Sequence, residues 1–430
     1  MQHPHVGWTV VPFLAALAVG CEDSVPSAAT VTEVRSSHAR VTASPGAADL
    51  SAVIRGNASF ALDLHRAVAV EGRNVVTSPH SVSTALAMTW VGARGASETR
   101  MRAAMRLPSL ESASVHASFN AIDRALTEQS TQPVSEENPR PARIKLANAL
   151  WAQRGYSFQT PFLDTLAEHY GAGVWLTDFS TYPESSRLSI NNWVSERTEG
   201  RIPSLLAQGT ITPATVFVLT NAIHFIAGWR RVFDPARTAP ADFRVNDETV
   251  VRVPTMSIMA RYPYAEGPGW KAVSLAYQGS DLAMLVMVPD AGGFAAFERE
   301  LTAERLEMIA SATSDHIVTL SMPRFSFRSQ LSLRPALGAM GMAQEFVPDA
   351  PDFSGIDGTR RIFLKDVIHQ GFIAVDENGT EAAAATAVIG DVVSAPPPAT
   401  LSIDRPFLFV IRSRNGTLLF LGRVMNPSVG

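Results

Sequence analysis

Apolar residues recur at helical spacing early in the chain and in unbroken runs later. Phe60, Leu64 and Val68 stand four apart, on one face of a helix that Asn57 is able to cap. Ser78-Pro79 predicts another helix start, with the serine as cap and the proline in the first helical position. Ala85, Ala87, Met88 and Trp90 carry its apolar pattern to a stop at Gly92-Ala93-Arg94-Gly95. Helices also fit Pro161 to Tyr170 and Leu188 to Glu199, the second ending at Gly200. Val216 to Leu219 and Leu282 to Val288 are continuously apolar, as strands buried on both faces are. Ile317 to Leu320 and Phe407 to Ile411 read the same way. Helices first and strands later predict an α+β fold around one large sheet system.

The amino terminus follows a different pattern. Val10 to Val19 is an apolar run of signal-peptide length, too short to span a bilayer. It ends in Leu17-Ala18-Val19-Gly20-Cys21, which looks like a bacterial lipoprotein signal whose cysteine is lipidated. The leucine sits one place early and no Lys or Arg precedes the run, so a plain secretory signal with Cys21 a bystander is the alternative. Either way residues 1–21 predict export, to the cell surface or outer membrane through a lipid anchor, or to the extracellular space. Residues 22–49, rich in Ser, Ala, Thr and Val, predict a flexible tether. From 50 to 430 no composition break, repeat or long linker divides the chain, and no later segment is apolar enough to cross a membrane.

Composition narrows the function. Hydrophobic residues are 46% and charged residues 18%, enough for a large core and against bulk disorder. A net charge of -4 gives no basic surface for nucleic acid. With Cys21 the only cysteine, there is no internal disulfide and no thiolate zinc site, and the histidines show no metal-ligand spacing. No metal and no cofactor is expected. A Ser/His/Asp hydrolase is the rival enzyme class, but no Gly-x-Ser-x-Gly elbow is present. The chain reads as a non-enzyme.

Several blocks resemble the serpin family, in the family's order and spacing. They include Asn74 to Ser81, Leu146 to Trp151, Asn191 to Trp193 with Thr198 to Ile202, and Leu219 to Phe225. Asp352 to Ile356, Val367 to His369, Glu377 to Thr386, Pro406 to Phe409 and Phe420 to Pro427 follow. The resemblance implies one serpin domain over 50–430, with three β-sheets, about nine helices and an exposed reactive loop near the carboxyl terminus, at about 377–400.

Asp376 to Ala387 matches the hinge of inhibitory members, through Glu377, Gly379, Thr380, Glu381, Ala382, Ala383, Ala384, Ala385 and Thr386. By intrinsic preference alone, Glu381 to Ala387 would be an alanine-rich surface helix. In serpins the cut loop instead enters the main sheet as a new strand, the strand addition and strain-releasing switch for which the family is a standard example. Thr380, Ala382, Ala384, Thr386 and Val388 would point inward, and all are small enough to pass beneath the helices. Gly379 gives the hinge room to turn.

Family spacing places the scissile bond at Val393-Ser394, with Asp391 and Val392 as alternative cut positions. A valine there suits elastase-like or subtilisin-like serine proteases, trapped as covalent acyl complexes by a monomeric inhibitor. Ser78, Ser81, Asn221 and His369 match the family's shutter, where the strands part, and Trp229 its breach, where insertion begins. A helix cap, a satisfied core histidine and a packed tryptophan are the plain structural readings of Ser78, His369 and Trp229. A non-inhibitory serpin that binds a ligand or acts as a chaperone is the alternative function.

Overall fold

The computed structural model describes residues 30–129, 142–380 and 397–429. Its helices are α1 Ala47–Val68, α2 Pro79–Trp90, α3 Gly95–Ala104, α4 Ser112–Gln129, α5 Thr160–Thr165, α6 Pro183–Arg197, α7 Phe294–Glu300, α8 Ala303–Ala312, α9 Arg334–Leu337 and α10 Ser354–Asp357. A π-helical turn, Leu166–Tyr170, continues α5 and ends at the left-handed Gly171.

The main sheet is built from β1 Thr32–Val34, β3 Arg143–Gln153, β4 Val174–Thr177, β5 Phe217–Gly228, β11 Phe325–Ser332, β12 Val367–Asp376 and the two-residue β13 Gly379–Thr380. Its order is β1-β4-β3-β5-β13-β12-β11. The other strands are β2 Val75–Thr77, β6 Ala239–Arg244, β7 Val250–Gly267, β8 Trp270–Ala276, β9 Ala283–Pro289, β10 Ser314–Pro323, β14 Pro398–Ser402, β15 Phe407–Arg412 and β16 Leu418–Val424. The long β7 belongs to two sheets: residues 250–264 pair with β6 and β10, while 264–267 pair with β8. One smaller sheet is β14-β10-β7-β6 and the other is β7-β8-β9-β15-β16-β2. This is the expected α+β architecture of three sheets.

The main sheet is buried on both faces. Leu219, Ile223, Phe225 and Ala227 of β5 join the large core shared with α1 and α2. Ala147, Ala149, Trp151, Val218 and Ala222 face α6, where Trp151, Trp175 and Trp193 pack in stacked and edge-on pairs.

Two sequence expectations are corrected. Asn57 does not cap α1: the helix starts at Ala47, and Asn57 lies buried in its interior, its amide donating to Ser83 Oγ. The same apolar stripe extends back through Val53 and Ile54, and Gly56 lets the helix pass close to the Arg106 carbonyl, where a Cβ would come within 2.2 Å. The tether expected over 22–49 is not free along its whole length. From Thr32 it forms β1 on the edge strand β4, and the chain beyond is bonded to the body: Ser36 Oγ to Asp164 (2.5 Å), His38 to Glu168 (2.8 Å) and Arg40 to Asp123 (2.6 Å). Composition could not reveal these partners, which lie far along the chain.

Candidate functional site

The site is the seam between β5 and β12. Over Leu219–Ile223 and Val367–Gly371 the two strands pair directly and in parallel. Above that they part, and β13 fills the gap, pairing antiparallel with both: Thr380 opposite Ala227 and Val375, Gly379 opposite Gly228 and Asp376. The chain reaches this gap by turning back after β12. Asp376 Oδ1 accepts from the Asn378 and Gly379 N–H groups at 2.8 and 3.2 Å, fixing the turn. Gly379 has φ +155°, and a Cβ there would lie 2.1 Å from the Ala227 carbonyl oxygen, so no side chain fits.

At the top of the seam Trp229 is buried, its indole N–H donating to the Asp376 carbonyl at 2.9 Å. Its ring stacks on Tyr277 at 4.7 Å and 14°. Tyr277 in turn shares a 2.7 Å hydrogen bond with the Thr380 hydroxyl. Beside them, the buried carboxylate of Glu377 accepts from Arg324 Nε (2.7 Å) and Nη2 and from Thr238 Oγ1. Burial alone would raise the Glu377 pKa, but the bonds from Arg324 and Thr238 and the Arg324 charge outweigh it, and the carboxylate is held below its ordinary value. Asp376 moves the other way, raised chiefly by burial.

Midway down the seam lies a closed polar network. His369 Nε2 accepts from the Ser78 N–H at 3.1 Å, so the ring proton sits on Nδ1 and donates to Asn221 Oδ1. Asn221 Nδ2 donates to Ser81 Oγ and to Asn148 Oδ1, each at 2.6 Å, and Ser81 Oγ donates to Asn148 Oδ1 at 2.8 Å. Ser78 also caps α2, its hydroxyl accepting from the Ser81 N–H. Ser78, Ser81, Asn221 and His369 are wholly buried, and burial lowers the His369 pKa to about 4, so the ring is neutral at neutral pH.

The structure therefore brings together Ser78, Ser81, Asn221 and His369, and separately Trp229, Glu377, Gly379 and Thr380. Cys21, Glu381, Ala382, Ala383, Ala384, Ala385, Thr386, Val393 and Ser394 lie outside the described residues. Sequence reasoning missed Asn148, Tyr277, Arg324 and Thr238. Asn148 left one trace, an amide inside the otherwise apolar run Leu146 to Trp151. The other three left none, because each meets the hinge only through the fold.

Comparison with known proteins agrees with this geometry. Residues 55–427 match the family model described as serpin, serine protease inhibitor. A serpin-like protein of Thermococcus kodakarensis is 36% identical, over 88% of this chain and 86% of its own. Human leukocyte elastase inhibitor is 34% identical, over 86% of this chain and 98% of its own. Among solved structures, the thermophilic serpin tengpin in its native state superposes with a TM-score of 0.81, at 24% identity, over 92% of this chain and 99% of its own. Thyroxine-binding globulin in complex with thyroxine gives 0.76 at 27% identity, over 87% of this chain and 99% of its own. With a matching family model over most of its length and relatives more than 30% identical over most of theirs, the chain belongs to the serpin family of serine protease inhibitors.

Proposed function

We propose that this protein is a single-use inhibitor of elastase-like or subtilisin-like serine endopeptidases, monomeric and exported to the cell surface or beyond. The observation that carries the reading is β13. A strand of two residues already occupies the mouth of the seam, with Thr380 buried and paired on both sides. Its register suggests a path for the rest of the hinge. Were the strand to continue two residues at a time, Ala382 would come opposite Phe225 and Ile373, Ala384 opposite Ile223 and Gly371, and Thr386 opposite Asn221 and His369. The inserted strand would thus replace the direct β5–β12 pairing, and Thr386 would arrive where His369 and Asn221 are now bonded. A hydroxyl is suited to that place, since it can donate and accept within the network it opens.

The chemistry begins as proteolysis performed by the target. The protease serine attacks the Val393 carbonyl, forms an ester to it and releases Ser394 as a new amino terminus, which takes the proton relayed by the protease histidine. Insertion then carries the esterified enzyme away from the loop's original place. Its oxyanion hole distorts, and hydrolysis of the ester, which needs donors at about 3 Å, stalls. Strand pairing made only after cleavage supplies the driving force. The chain itself contributes no catalytic group.

The test is to mix the protein lacking residues 1–21 with a pancreatic-type elastase and separate the products on a denaturing gel. A band at the summed mass less the released peptide, which begins at Ser394, is expected. Clean cleavage without that band would overturn the inhibitory reading in favour of a ligand-binding or chaperone-like serpin.

A further inference from the structure

The chain enters the described body at the opposite end of the main sheet from the hinge. Thr32 of β1, Leu176 of β4, Ala152 of β3 and Phe217 of β5 stand in one cross-strand row. Thr380 lies against Ala227, ten residues further along β5 and so about 33 Å away. Strand β3 runs antiparallel to β5, β4 parallel to β3, and β1 antiparallel to β4. The chain before Thr32 therefore points out past the row, away from the hinge. There the Thr30 carbonyl accepts from Arg154, just beyond the end of β3.

The path suggested by β13 ends at the same pole. One hinge residue for each residue of β5 would bring Gly390 level with Phe217, and Val393 about 10 Å beyond it. A strand between β5 and β12 stands four strand spacings from β1, about 19 Å across the sheet. The esterified carbonyl of Val393 would thus come to lie about 20 Å from Thr30. A protease domain of about 230 residues has a radius of gyration of about 17 Å, hence a compact body about 45 Å across. Cys21 stands nine residues before Thr30, and nine residues reach no more than about 32 Å in any conformation. A bilayer holding a lipid on Cys21 therefore stays nearer to this pole than the width of the protease delivered there.

We propose that the lipid-anchored form, in trapping a protease, carries it from the end of the body that faces solvent to the end that faces the membrane. The reach of residues 22–29 then limits how often insertion outruns hydrolysis of the ester, because the anchored body must tip to make room for its captive. The proposal rests on the inhibitory reading above and on the lipid-anchored reading of Cys21. It adds a membrane-facing pole and a tether whose length sets the yield of trapping.

The test uses the full chain made in a bacterial host, with lipid on Cys21 checked by the mass of the amino-terminal peptide, and added to preformed phosphatidylcholine vesicles. A pancreatic-type elastase is then titrated against three samples: the vesicle-bound protein, the same protein in detergent, and a vesicle-bound variant with about twenty Gly and Ser residues inserted between Ser24 and Val25, which adds up to about 70 Å of reach. The number of inhibitor molecules consumed per elastase trapped should be about twofold higher or more on vesicles than in detergent, and the longer tether should return it to the detergent value. Equal stoichiometry for the short and long tethers on vesicles would overturn the proposal. An amino-terminal peptide without lipid overturns it at the anchor. Cleavage without any complex, in detergent as on vesicles, is a different result, and it overturns the inhibitory reading itself.

Discussion

Tyr277 and Thr380 share a hydrogen bond of 2.7 Å at the point where the hinge enters the main sheet, and both residues are buried. Tyr277 is held in turn by the face of Trp229. Thr380, at the start of the proposed hinge, is therefore already docked in the sheet, its hydroxyl bonded to a polar partner.

Thr380→Arg should separate cleavage from trapping. Arginine cannot occupy the place beside Tyr277 without burying a charge, which costs several kcal/mol and is avoided by keeping the hinge out. The variant should be cut at the same bond by elastase, yet yield no complex on a denaturing gel. Trapping at the parent's stoichiometry would show that insertion does not begin at this residue.

Glu377→Gln probes the clamp on the other side of the turn. Glutamine keeps the shape but removes the charge that Arg324 meets with Nε and Nη2. Because Arg324 is 44% exposed, the loss is tempered by water and should be about 1–2 kcal/mol. A lowered midpoint in thermal unfolding, with faster hydrogen exchange at Asn378 and Gly379, is the expected result. An unchanged midpoint would mean the clamp contributes nothing to the native state.

Acid should weaken the seam before it reaches the carboxylates. His369 is neutral in the fold, with a pKa lowered from 6.5 to about 4 by burial. A histidine depressed in this way contributes its full stability above pH 6.5. That contribution declines as pH falls from 6.5 toward 4, because the unfolded chain takes up the proton first. The size is on the order of 3 kcal/mol for one fully buried ring. His116, lowered to about 3 chiefly by burial, and His80 and His169, also lowered chiefly by burial, add to the same slope. Unfolding midpoints measured between pH 7 and 4 should fall steadily, and less steeply in His369→Gln. An identical slope in that variant would mean His369 is not held neutral.

What the sequence reveals is what short-range chemistry decides. Ser78-Pro79 starts a helix by capping and by a fixed φ, both local, and α2 begins at Pro79. Strand β9 and the start of β5 are visible because their continuous apolar runs are buried on both faces. Asn57 misleads because it is a good cap in the wrong place: the stripe that buries α1 is set by neighbours across the core. Tyr277, Arg324 and Thr238 are invisible for the same reason, since each gains its role only when the turn after Asp376 lands beside it. Recognition of the hinge came from family resemblance, because composition alone favours a helix over Glu381 to Ala387.

The docking of residues 30–46 invites one more test, since β1 lies outside the span that matches the serpin family. This segment closes the open edge of the main sheet, pairing Val34 with Val174 and Glu33 with Trp175, and joins β4 to α4 and α5 through Arg40–Asp123 and Ser36–Asp164. Its close approach depends on Gly173, where a Cβ would lie 2.6 Å from the Val34 carbonyl oxygen and 3.0 Å from Arg35 Cβ. Gly173→Val should therefore unseat the strand while leaving the pairing of β4 with β3 intact. The expected loss is about 1–3 kcal/mol, read as a lower unfolding midpoint. Hydrogen exchange should become faster at residues 32–34 and remain slow in β3. A chain beginning at Ser44 should show the same midpoint as the Gly173→Val protein, because both lack the same contacts. If Gly173→Val lowered the midpoint much further than the truncation, the glycine would be serving the body of the sheet and not the strand laid on its edge.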